Sequence, residues 1–366
     1  MADAIVRQKY LADFSLGLIN RTGAFVVCRD LLLALPQYFD QTRYWRFFFS
    51  TPPEGLPRKL LARLMLKEIS ARRLGLVSYW PAGRRKGALP TLFLDPLYTI
   101  WSDLKADDIG LCHDVGPITH REFFGDQTYQ DYKIAYERMA KIGPGVVFVS
   151  EASRRAFQAL YGTAFRFMHV IPLYVRKAMQ GGAVEPVQGV KPPFLLTVGA
   201  FEKRKNHSRI LDAYVKANLA ERGIQYVFCG PRANETEAVL AKAAPIPGVV
   251  ALSYLSEDQL RWLYREASGF VLPSLLEGFG VPVLEAANAG LVSLASQDSA
   301  LEEALGGNGV FVDPLSVDSI AQGMERLIGL SPEERGQIVA KGKAHARLFS
   351  LERYVESWRE VLEHNQ

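Results

Sequence analysis

Pro273-Ser274-Leu275-Leu276-Glu277-Gly278-Phe279-Gly280-Val281-Pro282-Val283-Leu284-Glu285 sets two glutamates eight positions apart, across a Gly-Phe-Gly turn and a proline-started helix. Gly278 and Gly280 let backbone N–H groups come close to a ligand, because no Cβ stands in the way. Pro282 suits a first helical turn, where the N–H it lacks would have had no partner. A helix start behind a glycine turn is a seat for phosphate. Glu277 falls in the turn and Glu285 one turn into the helix, so each carboxylate reaches what is attached on a different side of such a phosphate. The chemistry suggested is that of a nucleotide-sugar site.

Around this stretch, short apolar strands alternate with helical patterns, the signature of a parallel α/β sheet. Strands are expected at Phe194–Val198, Gln225–Cys229, Val249–Leu252, Gly269–Leu272 and Leu291–Ala295. Helices are expected near His207–Ala220 and Glu257–Glu266, and Gly290 reads as the C-cap of the helix that carries Glu285. Upstream the pattern is less regular. Gly145–Val149 and Phe167–Ile171 read as strands, Gly110–Asp114 as a strand running into a loop, and Tyr44–Phe49 as a buried strand. Residues 177–193, rich in Gly, Pro and Val, read as an interdomain linker. In open α/β sheets ligands bind beyond the carboxyl ends of the strands. Lys203-Arg204-Lys205-Asn206 follows Val198-Gly199 and so stands where a diphosphate would lie. Taken alone, such a run reads more readily as a solvated basic loop.

Glu277 and Glu285 resemble the E-x7-E signature of retaining glycosyltransferases of the GT-B fold, specifically glycosyltransferase family four. The stretch from Tyr254 to Pro314 is similar to that family's C-terminal half. The resemblance implies an α/β protein of two Rossmann-like domains facing a central cleft. Residues 1–180 would form the acceptor-side domain and 181–349 the nucleotide-sugar donor domain, with a C-terminal helix within 350–366 crossing back to the first. It also assigns roles. Arg204 and Lys205 match the positions that grip the diphosphate, while Ala200 stands where many members carry a further arginine. His113 would contact the donor sugar, with Asp114 fixing its tautomer. Gly23, in Arg21-Thr22-Gly23-Ala24-Phe25, would let the backbone approach diphosphate and acceptor. Gly278, Phe279, Gly280 and Val281 would present amides to the donor. Glu285 would take the ribose hydroxyls, since a carboxylate accepts two hydrogen bonds from a vicinal diol. Glu277 would lie over the donor sugar, orienting it and stabilising charge.

The activity so implied is retaining transfer of a hexose, of mannose or rhamnose type, from a nucleotide-diphosphate sugar. A GDP-linked donor is favoured. The acceptor would be a glycan or a lipid-linked oligosaccharide in surface-polysaccharide assembly. There is no Asp-x-Asp pair of the metal-binding kind, so fixed cations are expected to stabilise the leaving group, without metal or cofactor. A non-catalytic scaffold of the same fold, or an epimerase or a sucrose- or trehalose-type synthase, are the alternatives.

The 366 residues are 48% hydrophobic and 22% charged, an ordinary globular composition with room for two domains. No apolar run is long enough to span a bilayer, and Met1–Asn20 lacks the apolar core of a signal peptide, so a cytoplasmic protein is expected. Cys28, Cys112 and Cys229 lie far apart in apolar surroundings and read as core residues rather than as disulfide or zinc ligands. Residues 1–180 carry 25 Lys and Arg against 16 Asp and Glu, and the remainder 18 against 23, so an anionic partner belongs to the first half. No recognition motif supports nucleic acid; peripheral contact with the inner face of an anionic membrane, or a lipid-diphosphate acceptor, fits better. Within Leu56–Leu76, Lys59, Arg63 and Lys67 share one helical stripe and Leu61, Met65 and Ile69 another, with Arg84-Arg85-Lys86 beyond. An interfacial helix and a surface helix of the first domain are equally open readings.

Overall fold

The computed structural model describes residues 8–20, 23–49, 51–73 and 89–364. Arg21 and Thr22 before Gly23, the 74–76 end of the basic segment and Arg84-Arg85-Lys86 lie outside them. The chain divides into two α/β units, Met1–Pro172 with Glu352–Gln366, and Leu173–Leu351.

The first unit is built on β1 (Tyr10–Asp13), β2 (Phe39–Tyr44), β3 (Phe47–Phe49), β4 (Thr91–Phe93), β5 (Ile109–Cys112), β6 (Gly145–Phe148) and β7 (Phe167–Val170). They lie in the order β3-β2-β1-β4-β5-β6-β7, all parallel except the β2–β3 pair. Strands covered on both faces read as unbroken apolar runs, and β4, β5 and β6 are buried along their whole length. The buried strand expected over Tyr44–Phe49 is instead a hairpin. Trp45 takes a left-handed φ of 59°, the chain reverses through Trp45-Arg46, and β3 is left as an edge with Phe47 and Phe48 about half exposed. Six aromatic and basic residues in a row carry no period that would reveal such a turn.

In the second unit β8 (Phe194–Val198), β9 (Gln225–Cys229), β10 (Val249–Leu252), β11 (Gly269–Leu272), β12 (Ser293–Ser296) and β13 (Val310–Val312) form a wholly parallel sheet in the order β10-β9-β8-β11-β12-β13. From β8 the chain steps outward to β9 and β10, then returns to β11 on the other side of β8. The carboxyl ends of β8 and β11 therefore flank the point where strand order reverses, which is where open α/β sheets bind ligands. Residues 177–193, expected as a linker, pack on this unit. Met179, Val187 and Val190 are buried, and the Glu185 N–H donates to the Asp258 carbonyl.

The helix Leu351–His364 buries Tyr354, Trp358, Val361 and Leu362 on elements of the first unit. Tyr10 Oη donates to the Leu362 carbonyl at 3.2 Å, Tyr354 Oη to the Val27 carbonyl at 3.4 Å, and Tyr38 Oη to the Glu363 carboxylate. The helix Gly55–Arg73 turns Met65 and Ile69 inward and leaves Lys59, Arg63 and Lys67 exposed. It also exposes Leu56, Leu60 and Leu64, spaced one turn apart, a second apolar stripe that the sequence reading did not separate from the first. The three cysteines are buried free thiols. Among the described residues no helix is long and apolar enough to cross a membrane.

Trp358 is fully buried, and truncating a large aromatic in a packed core costs about 3–5 kcal/mol. Trp358→Ala is expected to lower the unfolding free energy from urea titration by that much; an unchanged value would show that the last helix contributes little to the first unit.

Candidate active site

Two loops meet at the strand reversal in the second unit. The first leaves β8 at Gly199 and passes through a single tight turn at Lys203–Lys205 before the helix His207–Lys216. Asn206, at the entry to that helix, adopts a left-handed φ of 65°, which asparagine tolerates better than most residues. Its amide donates to the carbonyls of Pro273 (2.9 Å) and Pro314 (2.7 Å), and the Leu275 N–H donates to the Arg204 carbonyl at 2.8 Å. The basic loop is thereby stitched to the loop that follows β11.

Glu277 sits at the junction, with its side chain 7% exposed. Oε1 accepts from Lys205 Nζ at 2.5 Å and from Ser274 Oγ at 2.8 Å, and Oε2 accepts from Arg204 Nη1 at 3.1 Å. Arg204 Nε lies 2.5 Å from the Glu202 carboxylate. Lys205 is itself only 6% exposed, and its methylene stem packs over Gly199. This is not a solvated basic loop. Burial pushes the Glu277 carboxyl up, but Lys205 and Arg204 more than offset this and hold it below the usual carboxylate range.

The Gly-Phe-Gly turn follows directly. Gly280 has φ 105°, and a Cβ there would strike Leu301 at 2.4 Å, so no other residue fits without movement. The helix Val281–Ala289 then begins, with Pro282 in its first turn and Gly290 as its left-handed C-cap. The backbone N–H groups of Phe279, Gly280 and Val281 have no partner among the described residues. They are the orphan donors of a helix start, and they carry the positive end of its dipole. The Phe279 ring does not take part, being buried against Phe349 at 5.6 Å.

Glu285 is 1% exposed. Its Oε1 accepts from Arg176 Nε at 2.5 Å, and its Oε2 from Arg176 Nη2 at 3.0 Å and from Tyr264 Oη at 3.1 Å. Burial draws the Arg176 guanidinium down, and Glu285 more than restores it, so it stays charged. Sequence reasoning missed Arg176 and Tyr264. They lie 109 and 21 positions from Glu285 and carry no local motif.

His113 and Gly23 belong to the first unit. Gly23 is the first residue of the helix Gly23–Ala34, and a Cβ there would meet nothing within 4 Å. That helix carries Cys28, whose Sγ lies 3.9 Å from His113 Nε2. His113 Nε2 is 3.1 Å from the Leu94 carbonyl, which can only accept, so the proton is assigned to Nε2. Burial holds the ring below its ordinary pKa, hence neutral, and Nδ1 is left as a lone-pair acceptor without a partner among the described residues. The Asp114 carboxylate accepts from the Gly116 N–H at 2.8 Å, and so shapes the turn after β5. Among the described residues, no group of three or more His, Cys, Asp or Glu is placed to hold a metal ion.

Residues 185–345 match the family described as glycosyl transferases group 1. The match falls within the second unit, and the two α/β units have the GT-B fold. Over 98% of its length the chain superposes on 99% of sucrose-phosphate synthase from Thermosynechococcus elongatus, with a TM-score of 0.70 at 17% identity, a likeness of fold. By sequence, 165 residues are 33% identical to O-antigen chain mannosyltransferase B of Escherichia coli, covering 43% of this chain and 42% of that one. Another 29% identity, over 216 residues, links it to the MMP alpha-(1->4)-mannosyltransferase of Mycolicibacterium hassiacum, covering 57% and 51%. The matches thus span about half the length of these relatives or less.

Lys205→Ala leaves a buried carboxylate with Arg204 and Ser274 alone, and should cost about 1–3 kcal/mol of folding stability at neutral pH. A carboxyl whose folded pKa is depressed contributes stability that is present above its unfolded value and lost as pH falls through the folded one. The difference between wild type and variant should therefore shrink as pH drops below 4.5, the ordinary value. A pH-independent gap in denaturant titrations would mean that the pair contributes nothing electrostatic.

Proposed function

We propose that the chain is a retaining, metal-independent hexosyltransferase that moves mannose from a nucleotide-diphosphate sugar to a glycan or lipid-linked saccharide. The observation that carries this reading is the Glu277 carboxylate clamped by Lys205 and Arg204, beside three unpartnered N–H groups at a helix start. A diphosphate seated there meets two cations and the helix dipole, which stabilise the charge that grows on the leaving group. Glu277, held ionised, faces the sugar and aligns its hydroxyls. In the front-face scheme the acceptor oxygen bonds to the anomeric carbon as the bond from that carbon to phosphate breaks. The acceptor proton passes to the departing phosphate oxygen on the same face, and configuration is retained. Glu277 then orients and stabilises without forming a covalent bond. His113, through its Nδ1 lone pair, accepts a hydrogen bond from a sugar hydroxyl. The names of the two relatives support mannose, and that of the Escherichia coli relative supports O-antigen assembly; a GDP-linked donor is our reading beside them.

The first unit is the acceptor side in this reading, and peripheral contact with an anionic membrane follows from its surface. Leu56, Leu60 and Leu64 stand exposed beside Lys59, Arg63 and Lys67. Glu68 on the same helix binds Trp45 Nε1 at 2.7 Å and Arg46 at 2.5 Å, which anchors the hairpin whose Phe47 and Phe48 are also exposed. Apolar stripes flanked by basic residues suit the headgroup region of an anionic bilayer.

GDP, UDP, ADP and dTDP should be titrated calorimetrically with EDTA and then with magnesium, and the anomeric configuration of the product read by NMR from GDP-mannose. One diphosphate binding at micromolar Kd irrespective of magnesium, with retained configuration, is the expected result. An inverted product, or activity abolished by EDTA, would overturn the mechanism, and no binding by any of the four would favour a non-catalytic scaffold. Separately, Arg63→Glu with Lys67→Glu should reduce co-sedimentation with phosphatidylglycerol vesicles several-fold; equal sedimentation would leave the helix as ordinary protein surface.

A further inference from the structure

Resting on the reading of His113 above, we infer that Asp95 is its positioning residue: the buried carboxyl holds the Leu94 carbonyl against the imidazole while protonated, and its ionisation sets the alkaline limit of sugar transfer. In the first sheet the chain steps from β1 outward to β2 and β3, then returns to β4 on the other side of β1. The carboxyl ends of β1 and β4 therefore flank a strand-order reversal of their own. Asp13 closes β1, Asp95 stands just beyond β4, and His113-Asp114 follows β5, the next strand. Three carboxyls thus crowd three adjacent strand ends. Asp13 is balanced by Arg43, whose Nε lies 2.8 Å from its Oδ2, and Asp114 is partly exposed. Asp95 is 6% exposed and meets no cation among the described residues. Its Oδ1 accepts from the Leu97 N–H at 2.8 Å, and Tyr132 Oη lies 3.1 and 3.0 Å from Oδ1 and Oδ2.

The other groups that face it are neutral or acidic. Tyr98, on its own turn, has its Oη buried without a hydrogen-bond partner. Helix Asp126–Ile142 brings Tyr132, helix Gly23–Ala34 brings Cys28, and β5 brings Cys112. The nearby cations are committed elsewhere. Arg43 Nη2 reaches Ser102 Oγ at 2.5 Å as well as Asp13, and Arg138 donates to the Thr99 and Ser102 carbonyls, both at 2.9 Å. Burial lifts the Asp95 carboxyl to about 7, with Asp114 and Asp13 adding to the rise and the bonds from Leu97 and Tyr132 opposing it.

The link to His113 is the neighbouring peptide. The Leu94 carbonyl lies 3.1 Å from His113 Nε2 and 3.7 Å from Cys28 Sγ, while the Leu94 N–H donates to the Asp13 carbonyl at 3.1 Å. Asp95 then caps the turn Pro96–Trp101 through its bond to the Leu97 N–H. Tyr132 holds the Asp95 carboxyl, and Tyr136, one turn along the same helix, donates to the Asp114 carbonyl at 2.8 Å. The loops on both sides of His113 thus hang from one pair of phenols. An Asp95 carboxylate would stand in low dielectric beside two more carboxylates, with no cation to balance it. Opening the turn to water relieves that cost. It also moves the Leu94 carbonyl, so the ring loses the contact that keeps its proton on Nε2 and its Nδ1 lone pair free for a sugar hydroxyl.

The first measurement needs no variant. The Asp95 carboxyl carbon and the His113 ring nitrogens, followed by NMR in the wild-type protein, should titrate together near pH 7. Asp95→Asn keeps an oxygen for the Leu97 N–H and removes the titration, so the ring signals should then stay constant through that range. Release of GDP from GDP-mannose, with methyl α-mannoside as the acceptor probe, supplies the pH profile. Wild-type kcat/KM should fall about tenfold per pH unit above that point, the slope of one ionising group, and the variant should not show this fall. Stability gives a third readout. A carboxyl whose folded pKa is raised contributes stability that is present below its unfolded value, 3.8, and lost as pH rises towards the folded one, about 7. The advantage of Asp95→Asn over wild type in urea titrations should therefore grow across that window and then level off. A carboxyl carbon that titrates near 3.8, ring signals that ignore the Asp95 titration, or an alkaline limb unchanged in Asp95→Asn would each overturn the inference. His113→Ala separates the two levels of argument. If it transfers sugar as well as wild type, the sugar-contact reading falls, while the NMR titrations still decide whether Asp95 holds the ring. If it is inactive and Asp95→Asn keeps the wild-type pH profile, only the role of Asp95 falls.

Discussion

A carboxylate that is taken out of water must be compensated, and at Glu277 the compensation comes from a different loop. Lys205 and Arg204 reach it from the segment after β8, while Glu277 itself stands after β11. Neither loop could bury its charges alone, because an isolated buried ion is far more costly than a paired one. The pairing therefore fixes both loops over the reversal point of the sheet. Asn206 reinforces the link by satisfying the Pro273 and Pro314 carbonyls. The orphan N–H groups of the helix Val281–Ala289 are then held beside two cations before any ligand arrives.

The two glutamates of the turn-and-helix stretch solve the same problem differently. Glu277 is balanced by cations from the loop that would also hold phosphate, so ligand and carboxylate share donors. Glu285 is balanced by Arg176 at the start of the unit and by Tyr264 from a neighbouring helix. Its partners are taken up entirely inside the fold, and what faces outward there is a guanidinium. In the first unit, burial leaves His113 neutral, and the Leu94 carbonyl engages one ring nitrogen while the other stays open. It suits a hydroxyl better than a phosphate.

Much of the fold was legible because its signals are local. Parallel strands buried on both faces are apolar runs, and β6, β8, β9 and β11 announce themselves that way. Gly280, Pro282 and Gly290 mark a turn, a helix start and a helix end through backbone geometry that each residue carries in itself. The hairpin at Trp45 was not legible. Its turn uses a positive φ at a bulky residue, which only the packing of the finished sheet and the ties to Glu68 maintain. Residues 177–193 misled for a related reason. Gly and Pro are frequent there, yet Met179, Val187 and Val190 are buried by the unit they join.

By itself the sequence determined where most strands of the second unit lie, that a glycine turn precedes the helix after β11, and that two cations follow the first strand of that unit. These are properties of neighbouring residues, governed by steric limits on φ and ψ and by the periods of strand and helix. Tertiary structure decided which charges meet. Lys205 finds Glu277 across 72 positions and Arg176 finds Glu285 across 109. Nothing local predisposes either pair. They form because closing the sheet removes water from both carboxylates at once, and the cations within reach at that moment are set by topology rather than by spacing along the chain.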